Sequence, residues 1–366
     1  MRSVPVYDGH CDSLTKWRIE DLLNDHRDAQ WTLPKFRAGG GGLQFLAIYT
    51  PPEHNGKDAF HCAMKYMEAA HELVEASHGA AKLVLSPRDL QENSGRDESS
   101  SSPTKTKEAT IRVGAELASA RPIRVLLSLE GASPLMGSVH NLRLFHRLGL
   151  RALGFTWNHR NELADGVGVA PSPSGLTEAG FAVLKECERL GILADVSHLS
   201  EPGFWDVCHA ATKPFIASHS NAKAVCDHRR NLTDKQIEAV AERGGTIGLT
   251  FVRDFVVLNP ADPGAAKEKG TGPGREGASP QNQTGQPQGG DPALTVLLRH
   301  AQQIAKVGGI SALAIGSDFD GTDGPVVRDA SQFPGLASAL QTSGFSSADV
   351  AAVFNANLRR VLATVL

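Results

Sequence analysis

This sequence lacks the features that would tie it to a membrane, a nucleic acid or an oxidising compartment. No apolar run is long enough to span a bilayer. The first residues, Met1-Arg2-Ser3-Val4-Pro5-Val6-Tyr7-Asp8, reach a polar motif almost at once and contain no h-region. No signal peptide and no membrane insertion are therefore expected, and a cytoplasmic location is the simplest reading. Charged residues make up 21% of the chain and the net charge is −3. That balance gives no broad electrostatic reason to bind nucleic acid or an anionic membrane. The five cysteines, Cys11, Cys62, Cys187, Cys208 and Cys226, are odd in number and scattered, with no CxxC pair. A disulfide framework is excluded as the organising principle, and a reducing compartment fits better. No GxGxxG follows the first apolar segment, which weighs against a dinucleotide-binding open sheet. No internal repeat is present.

What is present is a long alternation. The chain has 366 residues, 41% of them hydrophobic, enough for a large core. Short apolar, β-branched segments fall at 4–10, 43–50, 123–130, 151–157, 191–197, 214–218, 245–252 and 312–317. Helical patterns lie between them, clearest at 58–77, 177–190, 234–243, 292–307 and 346–366. Repeated strand–helix units predict a parallel sheet covered by helices, and about eight of them favour a closed (β/α)₈ barrel. A further short strand is expected at 83–86, outside the barrel. The reading is one domain over 1–366, with insertions at about 92–108 and 260–291. The first is rich in Ser, Lys and Glu, the second in Gly, Pro and Gln, and neither can bury much apolar surface. The second follows the seventh barrel strand, so it is either a wall or lid on the active face or a passive linker.

The chemistry-bearing residues sit at strand ends. In Asp8-Gly9-His10-Cys11-Asp12, an extended chain puts His10 and Asp12 on one face, where both can meet one metal, and turns Cys11 away. Alone, a His-x-Asp is more often a surface turn. The pattern repeats, however. Glu130 ends the apolar run before it, His198 follows Leu193-Ala194-Asp195-Val196-Ser197, His219 follows Phe215-Ile216-Ala217-Ser218, and Asp318 and Asp320 follow Ala314-Ile315-Gly316-Ser317. Titratable groups avoid apolar strands unless paired or liganded, and in a parallel barrel all these ends open on one face. Imidazole and carboxylate without thiolate suit zinc, manganese or iron(II). His10, Asp12, Glu130, His198 and His219 are too many for one open zinc site. They suit two metals ~3.5–4 Å apart with a shared carboxylate and a shared hydroxide, and Glu130 is the natural bridge. Asp195, within an apolar strand, reads either as a residue that orients a ligand or, the favoured reading, as a structural salt-bridge partner. His61, His71 and His78 read as solvent-facing, while His26, His54, His140, His146, His209 and His300 join no ligand cluster.

Together these residues resemble the membrane (renal) dipeptidase family of zinc peptidases, within the metal-dependent amidohydrolase superfamily. The resemblance runs from about Val6 to Leu362. It includes Pro34-Lys35-Phe36-Arg37-Ala38-Gly39, Phe155-Thr156-Trp157-Asn158-His159, Ser218-His219-Ser220-Asn221-Ala222, Arg229-Arg230-Asn231 and Asp318-Phe319-Asp320-Gly321. It implies a (β/α)₈ barrel and hydrolysis of a small dipeptide, commonly with a D-residue at the C-terminal position. It implies two Zn²⁺ per chain: His10 and Asp12 on one, His198 and His219 on the other, Glu130 and a hydroxide bridging. It further implies that His159 contacts the substrate carbonyl, Arg230 binds the terminal carboxylate and Asp318 moves protons, with a homodimer as the assembly. Gly131-Ala132 departs from the family's common Gly-Gly after the glutamate, and the 260–291 segment is long. Two other readings compete: deacylation of N-acyl-D-amino acids or opening of a cyclic amide or β-lactam, and a catalytically silent barrel acting as a binding module.

Overall fold

The computed structural model describes residues 4–54, 56–91, 121–257 and 291–366. The two expected insertions lie outside these residues, apart from Asp291. Nine strands are formed among the described residues: β1 (Val6–Asp8), β2 (Gly41–Tyr49), β3 (Ala81–Leu83), β4 (Ile123–Glu130), β5 (Leu150–Gly154), β6 (Leu193–Asp195), β7 (Ile216–Ala217), β8 (Thr246–Leu249) and β9 (Leu313–Ile315). Every pairing is parallel, in the order β2-β1-β9-β8-β7-β6-β5-β4, and β2 also pairs with β4. Eight strands thus close into the expected barrel. β3 is the extra strand. It begins two residues earlier than the sequence reading placed it and pairs with the start of β4, Ala81 opposite Ile123.

Alternation along the strands decides what faces the barrel axis. Tyr7, Leu43, Phe45, Leu126, Ala152, Leu193, Ile216 and Ala314 form one apolar cluster inside the ring. Leu127, Leu129, Leu153, Ile247 and Ile315 point outward into a second cluster shared with the surrounding helices. With Leu126 inward, period-two geometry brings Ser128 and then Glu130 to the same side. The inner cluster is completed from below by Leu358, Val361, Leu362 and Val365 of the last helix (Asn357–Val365), which seals that end of the barrel. Fully burying each of these side chains is worth about 1.5–3 kcal/mol.

The expected helix at 346–366 is not continuous. It runs Ser347–Ala351, passes through a π-turn at Ala352–Ala356 and resumes at Asn357–Val365. The wider turn lets two asparagines reach inward. Asn355 donates to the Pro5 carbonyl, and Asn357 donates to those of Ile310 and Leu313. Polar side chains start the helices, as with Thr177 accepting from the Gly180 amide and the reciprocal Thr233–Gln236 pair. Among the described residues no helix is long and apolar enough to cross a membrane.

Glu186, on the helix Glu178–Leu190, ties it to Arg143 of the helix Val139–Arg147 and to Arg189. Hydrogen bonds from Arg189 and Arg143 hold its carboxyl well below the usual range, at about 2. Because the folded value is depressed from 4.5, this contribution is complete above pH ~4.5 and is lost as the pH falls toward 2. Glu186→Gln is expected to melt about 1–3 °C lower than the parent at pH 7, since both arginines are half exposed. That gap should close near pH 2 in calorimetry, and a gap that persists at low pH contradicts the assignment.

Candidate metal centre

The predicted ligands converge on the face where the strands end. His10 and Asp12 lie just beyond β1, and the backbone holds them against the segment beyond β9: the Asp318 amide donates to the His10 carbonyl (3.2 Å) and the Asp12 amide to that of Phe319 (2.8 Å). The His-x-Asp and Asp-x-Asp motifs therefore run side by side. His10 Nε2 is 3.4 Å from Asp12 Oδ2, 3.4 Å from Glu130 Oε2 and 3.9 Å from Asp318 Oδ1. Gly321 permits this approach, because a Cβ there would collide with the carboxylates of Asp12 and Asp318.

Glu130, the last residue of β4, turns its other oxygen the opposite way. Oε1 is 3.0 Å from His198 Nε2 and 3.9 Å from His219 Nε2. The carboxylate thus reaches both the β1 pair and the two later histidines, and beside it the His10 and His219 ring centroids lie 3.9 Å apart. His198 follows β6 in a left-handed conformation (φ 67°), and its carbonyl accepts from the Val167 amide (2.7 Å) and the Thr156 hydroxyl (3.2 Å). Its Nδ1 meets Asn158 Oδ1 at 2.9 Å, and His219 Nδ1 meets Ser218 Oγ at 2.8 Å. Where both Nδ1 atoms carry the ring hydrogen, both Nε2 lone pairs face inward, and those two atoms are 2.8 Å apart. Burial holds both imidazoles well below the usual histidine pKa, helped by the positive charges of Arg230 and His10, so neither carries a second proton at neutral pH. Two lone pairs at that separation, facing a carboxylate, form an arrangement that a cation satisfies.

The β1 half gives a matching signal. Neither ring nitrogen of the buried His10 has a hydrogen-bond partner, and neither does Asp12 Oδ1. Two triads are close enough to hold an ion: His10, Glu130 and His219, and His10, Asp12 and Asp318. The donors are nitrogen and oxygen only. This residue set fits divalent zinc-type ions. Burial and the neighbouring Asp12 carboxylate push the Asp318 carboxyl well above the usual range, against the opposing pull of His10.

Arg230 and its neighbour Arg229, alike in the sequence, separate in the fold. Arg230 is buried and Arg229 is not. The Arg230 guanidinium donates to the His219 carbonyl (3.1 Å) and lies 5.3 Å from the centre of the Phe255 ring, which also stacks on His228 at 4.6 Å. Its Nε is buried without a partner. Burial lowers the guanidinium to about 10, with Asp318, Glu130 and Asp195 opposing. A positive group with a donor to spare, beside the ligand cluster, is suited to an anionic group of a small molecule. His159 is half-buried at the mouth, its ring 5.5 Å from Trp157, which packs in turn on Tyr49 and His198.

Asp318 and Asp320 also part company. Asp320 accepts from the Ser13 hydroxyl, the Trp17 indole (2.9 Å) and the amides of Gln30 (3.0 Å) and Trp31 (3.2 Å). It is a fastener for the 13–31 segment, whereas Asp318 faces the ligands. Lys35 secures the same segment by donating to the carbonyls of His26, Arg27 and Ala29. Asp195, expected in a salt bridge, instead accepts from Ser197 and Ser218 beside a ligand. Sequence reasoning also missed Asn158, Ser218 and Phe255. Only the adjacency of Ser218 to a candidate ligand could have signalled one of them. Among the bland histidines, His71 reaches the Leu148 carbonyl (2.8 Å), and buried His300 joins the Ala222 amide to the Val256 carbonyl.

Comparison with known proteins gives a consistent picture. A family model described as membrane dipeptidase, peptidase family M19, matches residues 1–112 and 107–366. A dipeptidase of Aspergillus oryzae is 30% identical over 381 residues, covering 99% of this chain and 78% of that protein. An uncharacterized protein in the pqqA 5′ region of Klebsiella pneumoniae is 32% identical over 249 residues, 66% of this chain and 82% of that one. Among solved structures, a metallopeptidase from Rhodobacter sphaeroides, liganded with a phosphinate mimic of the dipeptide L-Ala-D-Ala, superposes with a TM-score of 0.78 at 26% identity, covering 100% of both chains.

Proposed function

The chain belongs to the membrane dipeptidase family of metallopeptidases, and from that premise we propose that it hydrolyses the amide bond of dipeptides using two zinc ions. His10 and Asp12 would hold one ion, His198 and His219 the other, and Glu130 both. When bound, such a pair supplies Lewis acidity and lowers the pKa of water toward neutrality. The observation that carries the reading is the inward-facing Nε2 pair of His198 and His219 against one oxygen of Glu130, with His10 on the other oxygen.

The chain's own groups divide the remaining work. Arg230 holds the substrate's α-carboxylate, which sets the length of what fits. His159 donates to the oxygen of the scissile carbonyl as negative charge develops there. Asp318 takes a proton from the attacking water at its carboxylate and returns it to the leaving amide nitrogen. The Rhodobacter relative is liganded with a mimic of L-Ala-D-Ala, and a D-residue at the C-terminal position is proposed for this chain as well.

The test is a panel of dipeptides with both stereochemistries at each position, N-acyl-D-amino acids and a β-lactam, each assayed with and without added zinc. The expected result is zinc-dependent turnover of free dipeptides, strongest with a C-terminal D-residue. Turnover confined to the N-acylated or lactam substrates would sink the dipeptidase reading.

A further inference from the structure

The two histidines of the second ligand pair are held by different means. His198 Nδ1 meets an amide oxygen, Asn158 Oδ1. An amide can rotate and offer its NH₂ instead, so this contact alone leaves the ring's tautomer open. His219 Nδ1 meets a serine hydroxyl, Ser218 Oγ, at 2.8 Å. A hydroxyl has one hydrogen, and here a neighbour takes it: Ser218 Oγ donates to Asp195 Oδ2 at 2.5 Å. Oγ can then only accept from His219 Nδ1. The other carboxylate oxygen, Oδ1, receives the amides of Ser197 (3.0 Å) and Ser218 (2.9 Å), so Asp195 cannot turn away. All three side chains are buried. The Ser218 main chain is locked as well, since a Cβ at Gly248 or Gly316 would collide with its carbonyl oxygen.

We propose that Asp195 is a positioning residue for the metal centre: through the Ser218 hydroxyl it fixes His219 in the Nδ1–H tautomer, with the Nε2 lone pair facing Glu130. The inference rests on the reading of these histidines as metal ligands, and it does not depend on the substrate. The ring nitrogen used for a metal is set by the bond the other nitrogen makes. A carboxylate at the end of the chain of bonds has no hydrogen to give, so the direction of the whole relay is imposed from Asp195.

Asp195→Asn separates this role from a purely structural one. The amide oxygen of the substituted side chain still accepts both backbone amides. Its NH₂ group replaces Oδ2 and donates to Ser218 Oγ, which releases the hydroxyl hydrogen to His219 Nδ1 at 2.8 Å in preference to the more distant Ser197 Oγ at 3.4 Å. The ring must then carry its hydrogen on Nε2, aimed at the metal position. An isosteric Asp→Asn change that flips a histidine tautomer in this way is highly disruptive in serine proteases, although the geometry stays intact.

The experiment uses the full chain stripped of metal, with imidazole ¹⁵N NMR to read the tautomers and chelator competition to read zinc affinity. Expected are an Nδ1–H His219 in the parent, an Nε2–H His219 in Asp195→Asn, and zinc affinity about 10–100-fold weaker in that variant. Ser218→Ala removes the link without reversing it, so its affinity should fall less, while the buried Asp195 Oδ2 left without its donor lowers the melting temperature of the metal-free protein by a few degrees. An Asp195→Asn variant with unchanged tautomer and unchanged affinity overturns the proposal. If that variant does not fold, Ser218→Ala decides, and parental affinity there overturns it too. A chain that passes these tests but cleaves no dipeptide contradicts the functional reading and leaves the relay standing.

Discussion

Glu130→Gln is expected to lower kcat/KM for a dipeptide by about 10³-fold or more, beyond the ~10–100-fold that losing an outer partner of a ligand costs. The substitution keeps size and shape, so the cause is confined to one atom and one charge. Each oxygen of Glu130 serves a different side, Oε2 toward His10 and Oε1 toward His198 and His219. Whichever oxygen becomes an NH₂ group, one side loses an acceptor and meets two hydrogens instead. Its negative charge also balances His10 and Arg230, which together hold Glu130 below the usual carboxylate range although burial acts to raise it. Removing that charge leaves buried positive groups uncompensated and weakens attraction for any cation. Bound zinc, measured by elemental analysis after desalting, should fall well below the parent's. A Glu130→Gln protein that retains the parent's zinc and most of its kcat/KM would remove the bridge from the proposed mechanism.

Arg230→Met should raise KM for free dipeptides by about 10²–10³-fold, because truncating one member of a buried, hydrogen-bonded charge pair costs ~2–5 kcal/mol. The methionine keeps much of the packing against Phe255, which limits the change to the lost charge and donors. Arg230→Lys should fall between, since a lysine supplies charge without the planar fork. The discriminating control is a dipeptide whose C-terminus is amidated. The parent should strongly prefer the free acid, whereas the Met variant should treat acid and amide nearly alike. If the variant keeps its preference for the acid, the carboxylate is held elsewhere. The partnerless Nε and the fixed position above Phe255 are what make Arg230, rather than Arg229, the residue to change.

The barrel was legible because each wall strand is a short apolar run and every candidate ligand sits at the end of one or just past it. β4 was read to the residue, Ile123–Glu130, since Pro122 stands directly before it and Gly131 directly after. Helices with proline and glycine in their first turns were not read. Glu201–Ala210 begins Glu201-Pro202-Gly203, and Phe333–Thr342 begins Phe333-Pro334-Gly335. Those residues look like breakers in a sequence, yet proline is tolerated where a helix has no amide bonds to lose. The candidate ligands that the fold brings together were legible because titratable groups stand out against aliphatic strands. The groups that orient them were not, because serine, asparagine and aspartate at such places are ordinary, and only the fold shows that Asp195 aims at Ser218 and Asn158 at His198. Asp318 and Asp320 look alike past the end of the last strand, and the four donors gathered on Asp320 explain why it is occupied elsewhere.

The far end of the barrel is stoppered. Leu358, Val361, Leu362 and Val365 fill it from beneath, and higher up the Ser218 peptide fills the space that Gly248 and Gly316 leave free. Among the described residues, the vessel is therefore open at one end only. Whatever arrives for cleavage and both fragments that depart must share the same threshold, so turnover includes clearing an entrance as well as breaking a bond.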